Sequence, residues 1–155
     1  MRDLALATKV RPRLRTLAAL LLPLVLLGNA PAPDPVQLEI SLSGLRSAKG
    51  EVRLCVWHGP SKFPGDTCAG QSIVVPAETP VVIVNVPLAP GDYAVSLLHD
   101  ENGNGKLDKN FLGIPTEGIG FSQNPKISFG PPTYAASHFD VAGPQTEAIR
   151  MKYFL

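Results

Sequence analysis

Nine consecutive residues, Asp100-Glu101-Asn102-Gly103-Asn104-Gly105-Lys106-Leu107-Asp108, follow the opening of the D-x-[DN]-x-[DN]-G calcium loop. Side-chain oxygens of Asp100, Asn102 and Asn104 fall on one point when the chain coils tightly, and Gly105 permits the sharp turn. The carbonyl of Lys106 supplies a further oxygen, and Asp108 binds directly or through water. Leu107 is apolar and can pin the loop to a core. The twelfth position, where a helix-flanked calcium loop carries a bidentate Glu, is Phe111, and no helical pattern flanks the segment. Glu117 or water would then complete the shell, and the expected dissociation constant is weak, about 10⁻⁴ to 10⁻³ M. The competing reading is a metal-free turn, because Asn-Gly and Asp-rich runs form turns unaided.

Other reactive side chains are sparse. His58, His99 and His138 show no ligand spacing, although His99 adjoins the acidic loop. Ser61, Ser96 and Ser137 stand in no G-x-S-x-G motif. Cys55 and Cys68 are an even pair in a chain expected to be exported, which predicts a disulfide closing twelve intervening residues and stabilising by ~3 kcal/mol. Trp57 reads as a core or rim residue. No catalytic or cofactor-binding residue is expected.

The elements that must position these groups read as strands. Val36 to Leu42, Glu51 to Trp57, Gln71 to Val75, Tyr93 to Leu98, Ser137 to Val141 and Thr146 to Tyr153 each carry a strand pattern. Val81 to Val86 is a nearly continuous apolar run, which predicts a strand covered on both faces or lying centrally. Leu38, Ile40, Val52, Leu54, Val82, Val84, Tyr93, Val95, Leu97 and Ile149 are the expected core. About seven short strands separated by turns predict an all-β fold, a single antiparallel Greek-key β-sandwich of prealbumin-like or immunoglobulin-like type. The turn in "LAPGDYAV", residues 88–95, resembles the corresponding hairpin of prealbumin-like domains. Residues 110–136 lack periodicity but contain Phe111, Phe121, Phe129 and Tyr134, which predicts a long ordered loop packed by its own side chains.

The first thirty residues have the order of a secretory signal peptide: Arg2, Lys9, Arg11, Arg13 and Arg15, then Leu17 to Leu27, then Gly28-Asn29-Ala30. The apolar run is shorter than the ~20 residues a bilayer span needs, so no permanent anchor is expected. One domain then occupies residues 31–155, in the periplasm or outside the cell. Removing the leader takes five of the fourteen Lys and Arg and one of the thirteen Asp and Glu, leaving a net charge of −3. A weakly acidic chain without a basic run has no footprint for nucleic acid.

From His99 to Ser122 the chain reads HDENGNGKLD-x-NFLGIP-x-EG-x-GFS, followed by Phe129-Gly130-Pro131-Pro132. This block resembles an exported bacterial family of unknown function, domain of unknown function 2141, over roughly residues 38 to 153. That family has no established activity, so the resemblance implies export and a compact β-domain and carries over no catalytic residue. The shorter pattern D-x-NGNG-x-x-D is similar to calcium-bearing β-sandwich repeats of bacterial surface adhesins, which implies calcium on a loop without helices. The expected function is a non-enzymatic interaction module with a calcium loop, presenting residues 110–136 to an unknown protein or small-molecule ligand. The alternatives are a metal-dependent enzyme or accessory protein using His99, Asp100 and that segment, or a purely structural envelope component.

Overall fold

In the computed structural model, which describes residues 33–155, the alternating segments form eight strands. The expected leader lies outside the described residues. The strands are β1 (Val36–Ser43), β2 (Glu51–His58), β3 (Gln71–Pro76), β4 (Val81–Leu88), β5 (Gly91–Asp100), β6 (Gly118–Phe121), β7 (Phe139–Val141) and β8 (Gln145–Arg150), with one helical turn, α1 (Tyr134–Ser137). Sheet one has the order β4-β1-β8, and sheet two the order β3-β2-β5-β6 with β7 also on β5.

Period-two alternation sends Leu38, Ile40 and Leu42 of β1 and Val52, Leu54 and Val56 of β2 into the space between the sheets. They meet Val82, Val84 and Val86 of β4, Tyr93, Val95 and Leu97 of β5, and Ile149 of β8. All ten residues expected in the core are buried there. A second apolar cluster covers the outer face of sheet two. Trp57 donates its indole N–H to Ser96 Oγ at 2.9 Å, and Phe63 packs edge-on against Trp57, Phe121 and Tyr134. Cys55 and Cys68 form the expected disulfide, tying the 59–70 loop to β2 over this cluster.

Four expectations need correction. The sheets are not wholly antiparallel, because β1 and β8 pair in parallel. Strand β7 descends β5 to Gly91, and only three residues separate it from β8, so β8 starts at the end where β1 also starts. Strand β4 is covered on one face only: Val81 and Ile83 are about half exposed, since β4 is an edge strand paired to β1 alone. Residues 110–136 are not one loop but contain β6 and the start of α1. Ser137, expected to open a strand, closes α1.

Strand β6 also links the sheets. Ile119 N donates to Lys152 O at 3.0 Å, and Lys152 N donates to Ile119 O at 2.8 Å. Glycine makes the approach possible. A Cβ on Gly118 would lie 2.5 Å from the Tyr153 ring, and one on Gly120 would lie 3.1 Å from Ile149 and Met151. The 44–50 turn, the 100–117 segment and Lys152 to Leu155 therefore gather at one end of the sandwich.

Candidate functional site

Asp100 ends β5 and is fully buried. Its Oδ1 accepts the N–H groups of Gly103 (2.7 Å) and Asn104 (3.1 Å). Its Oδ2 accepts Gly105 N–H (2.7 Å) and Arg53 Nε (3.2 Å). Burial pushes this carboxyl up, but the N–H groups of Gly105, Asn104 and Gly103 and the Arg53 guanidinium more than offset it, so its pKa lies below the ordinary value. Arg53 is held in turn by Glu51 at 2.7 Å.

The next residues coil as the spacing predicts. Asn102 Oδ1 accepts Asn104 N–H at 3.0 Å, and Asn104 Oδ1 accepts Lys106 N–H at 2.8 Å. Both amide nitrogens donate to Asp108 Oδ2, at 2.7 and 2.9 Å. It is the amide nitrogens of Asn102 and Asn104, and not the expected side-chain oxygens, that meet at Asp108, with Lys106 exposed on the loop beside them. Glu117, which the sequence offers as a further oxygen donor, is buried against the loop. Its carboxylate braces the loop by accepting Glu101 N–H and Asp108 N–H, both at 3.1 Å.

The side-chain oxygens these residues carry are of the kind a hard cation such as calcium takes, although here they face N–H groups. Among the described residues no group of three or more His, Cys, Asp and Glu is placed to hold a metal ion. Each oxygen of Asp100 already accepts two donors and two amide N–H groups face Asp108, so a cation here would have to displace them and turn the Asn102 and Asn104 amides.

Glu101, to which the loop spacing assigns no ligand role, is the loop's anchor. It accepts Arg46 Nε at 3.0 Å, a second Arg46 nitrogen, and Ser47 Oγ at 2.7 Å. The Arg46 guanidinium holds the Glu101 carboxyl below its usual range. Arg46 also donates to the carbonyls of Thr116 (3.0 Å) and Leu155 (3.1 Å) and lies over the Tyr153 ring, 4.7 Å from its centre. A Cβ on Gly50 (φ 70°) would strike Asp100 O at 2.0 Å, so glycine lets this turn lie against the loop. Arg46, Lys49, Glu101, Asn102, Asp108, Thr116 and Glu117 line a cleft of about 400 Å³.

His99 is buried beneath the loop. Nε2 lies 2.9 Å from Lys49 O, which can only accept, and Nδ1 lies 2.6 Å from Tyr153 Oη. Nε2 therefore carries a proton and donates to that carbonyl, while Nδ1 hydrogen-bonds the tyrosine hydroxyl. The ring's polar atoms are committed to joining β5, the 44–50 turn and Tyr153. His58 stacks on Tyr93, and His138 pairs with Asp92 at 2.8 Å, both away from His99 at the opposite end of β5.

After Asp108 the chain makes a pinned turn that the sequence pattern did not reveal. Lys109 bridges Pro115, and Thr116 N donates to Asp108 O at 2.9 Å. Asn110 N donates to Ile114 O and Gly113 N to Asn110 O, both at 2.9 Å. Asn110 Oδ1 accepts Leu112 N–H at 2.9 Å and Ile114 N–H at 3.0 Å. The available signal was Asn110 preceding a Gly by three residues, an Asx turn. At its apex Phe111 is 94% exposed and Leu112 66%. Of the four aromatic residues expected to pack within this segment, Phe121 is buried, Tyr134 is half-buried, and Phe111 and Phe129 stand in solvent.

Residues 40–149 match the family model described as an uncharacterized protein conserved in bacteria (DUF2141). Comparison with curated proteins and with solved structures gives no match.

Proposed function

The chain belongs to the DUF2141 family of uncharacterized bacterial proteins, and from that premise we propose that it is an exported, non-catalytic interaction module. In this reading it works in the periplasm or outside the cell, and it presents the Asn110–Pro115 turn to a partner. Its Asp100–Asp108 loop takes a calcium ion weakly. One observation carries the reading: Phe111 and Leu112 stand in solvent on a turn held by five hydrogen bonds. Exposed apolar side chains on a rigid support mark a contact surface, since a preordered turn loses little further entropy on binding.

Export is supported by the order of residues 1–30 and by the disulfide, which belongs to oxidising compartments. The non-catalytic reading is supported by His99 and Asp100, whose polar atoms are committed to internal hydrogen bonds. A photoreactive residue placed at position 111 in cells should give an adduct with protein or with lipid, and one at exposed Ala135 should not. Equal labelling from both positions, or none from 111, would overturn the contact reading.

A further inference from the structure

We propose that the partner of this turn is the surface of a lipid bilayer bearing anionic headgroups, into which Phe111 and Leu112 insert. The proposal rests on the reading of the turn as a contact surface and names what it contacts.

Size is the first argument. A stable protein interface buries about 800 Å² on each partner. Two side chains at the apex of a turn cover far less, since even a large aromatic buries only ~150–250 Å². A bilayer interface accepts a small convex apolar tip without needing a complementary pocket.

Backbone satisfaction is the second argument. Groups entering the headgroup and acyl boundary lose water, so N–H groups there must already be paired. The N–H groups of Asn110, Leu112, Gly113 and Ile114 donate within the turn, two of them to the Asn110 side chain, which leaves that of Phe111 as the one N–H of the apex without a partner among the described residues. The apex can leave water without stranding the four that donate.

Charge placement is the third argument. The acids of this end are turned onto internal partners: Glu51 and Asp100 onto Arg53, Glu101 onto Arg46, Asp108 onto two amides, and Glu117 onto two N–H groups. Lys109, at the base of the turn, and Lys106, in the loop leading into it, are exposed and enter none of the ion pairs found among the described residues. Their long stems can lie along the apolar tip while the ammonium groups reach anionic headgroups.

Disulfide-intact protein of residues 31–155 should co-float with phosphatidylcholine vesicles containing phosphatidylglycerol, in chelator, at lipid concentrations on the order of a millimolar. Phe111→Ser with Leu112→Ser should weaken partitioning about a hundredfold, roughly tenfold for each apolar side chain removed. Lys106→Ser with Lys109→Ser should abolish the preference for phosphatidylglycerol over phosphatidylcholine alone. Phe129→Ser, at an equally exposed aromatic outside the turn, should change nothing. Each variant must melt with the wild type, which exposed side chains permit. Wild-type partitioning no stronger than that of the double-serine variant overturns the lipid assignment. If position 111 then gives a protein adduct in cells, the contact reading stands with a protein partner. If it gives none, both fall.

Discussion

Replacing Asp100 by Ala removes one buried carboxylate that four donors share, and the cost can be worked from their surroundings. Hydrogen bonds to a charged group contribute ~1.5–3 kcal/mol each. Gly103, Asn104 and Gly105 are exposed, so water replaces the carboxylate at their N–H groups at reduced cost, and Arg53 keeps its pairing with Glu51. The expected loss is about 3 kcal/mol, half the sum of the low-end values. For a domain of this size that lowers the melting temperature by roughly 10 °C. The pKa of Asp100 is depressed in the folded state, so its contribution is present above the unfolded carboxyl value and is lost as pH falls through the folded one. The gap between variant and wild type should therefore be full at neutral pH and close under acid. Thermal melts by circular dichroism across pH, in chelator, measure this. A variant that melts with the wild type at neutral pH would refute the claim that this carboxylate organises the loop.

Four further outcomes are expected. Calcium at ten times its dissociation constant should stabilise metal-stripped protein by about 1.4 kcal/mol, with magnesium doing less; Asp100→Ala should lose this increment, and indifference to ~10 mM calcium would leave the loop as a metal-free turn. Glu101→Ala should lower the melting temperature with or without calcium, through loss of Arg46 and Ser47, while keeping the calcium increment. Burial raises the Glu147 carboxyl, whose partner is Gln123, so stability should fall as pH rises from the ordinary carboxyl range through the raised value; Glu147→Gln should flatten that slope in a pH series of melts. Replacing Cys55 and Cys68 should cost ~2–5 kcal/mol in chemical denaturation and red-shift Trp57 emission, because the tied loop carries Phe63 onto the indole.

The parts legible in the sequence are those set by local pattern. Alternation in β1, β2 and β5 announced which side chains face inward, and the Asp100–Asp108 spacing announced the coil of the loop. What was hidden depends on partners distant in sequence. Strand β6 has four residues and two glycines, and it is a strand because Tyr153, Ile149 and Met151 need the space a Cβ would fill. Val81 and Ile83 read as covered because edge position is a property of topology and not of side-chain type. Glu101 looked idle at the second loop position, because only folding brings Arg46 to it. Within the 110–136 segment the Asn110–Pro115 turn itself was not singled out. Its exposed apex residues are apolar, and apolar residues in a segment without period suggest packing.

In the exported reading proposed above, the parallel pairing of β1 with β8 bears on how the chain reaches its destination. Strand β1 is the middle strand of its sheet, flanked by β4 and β8, and β8 begins about a hundred residues after β1 ends. While synthesis or translocation is under way, that sheet lacks one side until residue 150 is free, and contacts so distant in sequence form slowly. A chain that cannot complete its sandwich early stays threadable through a narrow secretion channel. The same arrangement that makes the folded domain hard to unravel from one end delays the moment at which it locks.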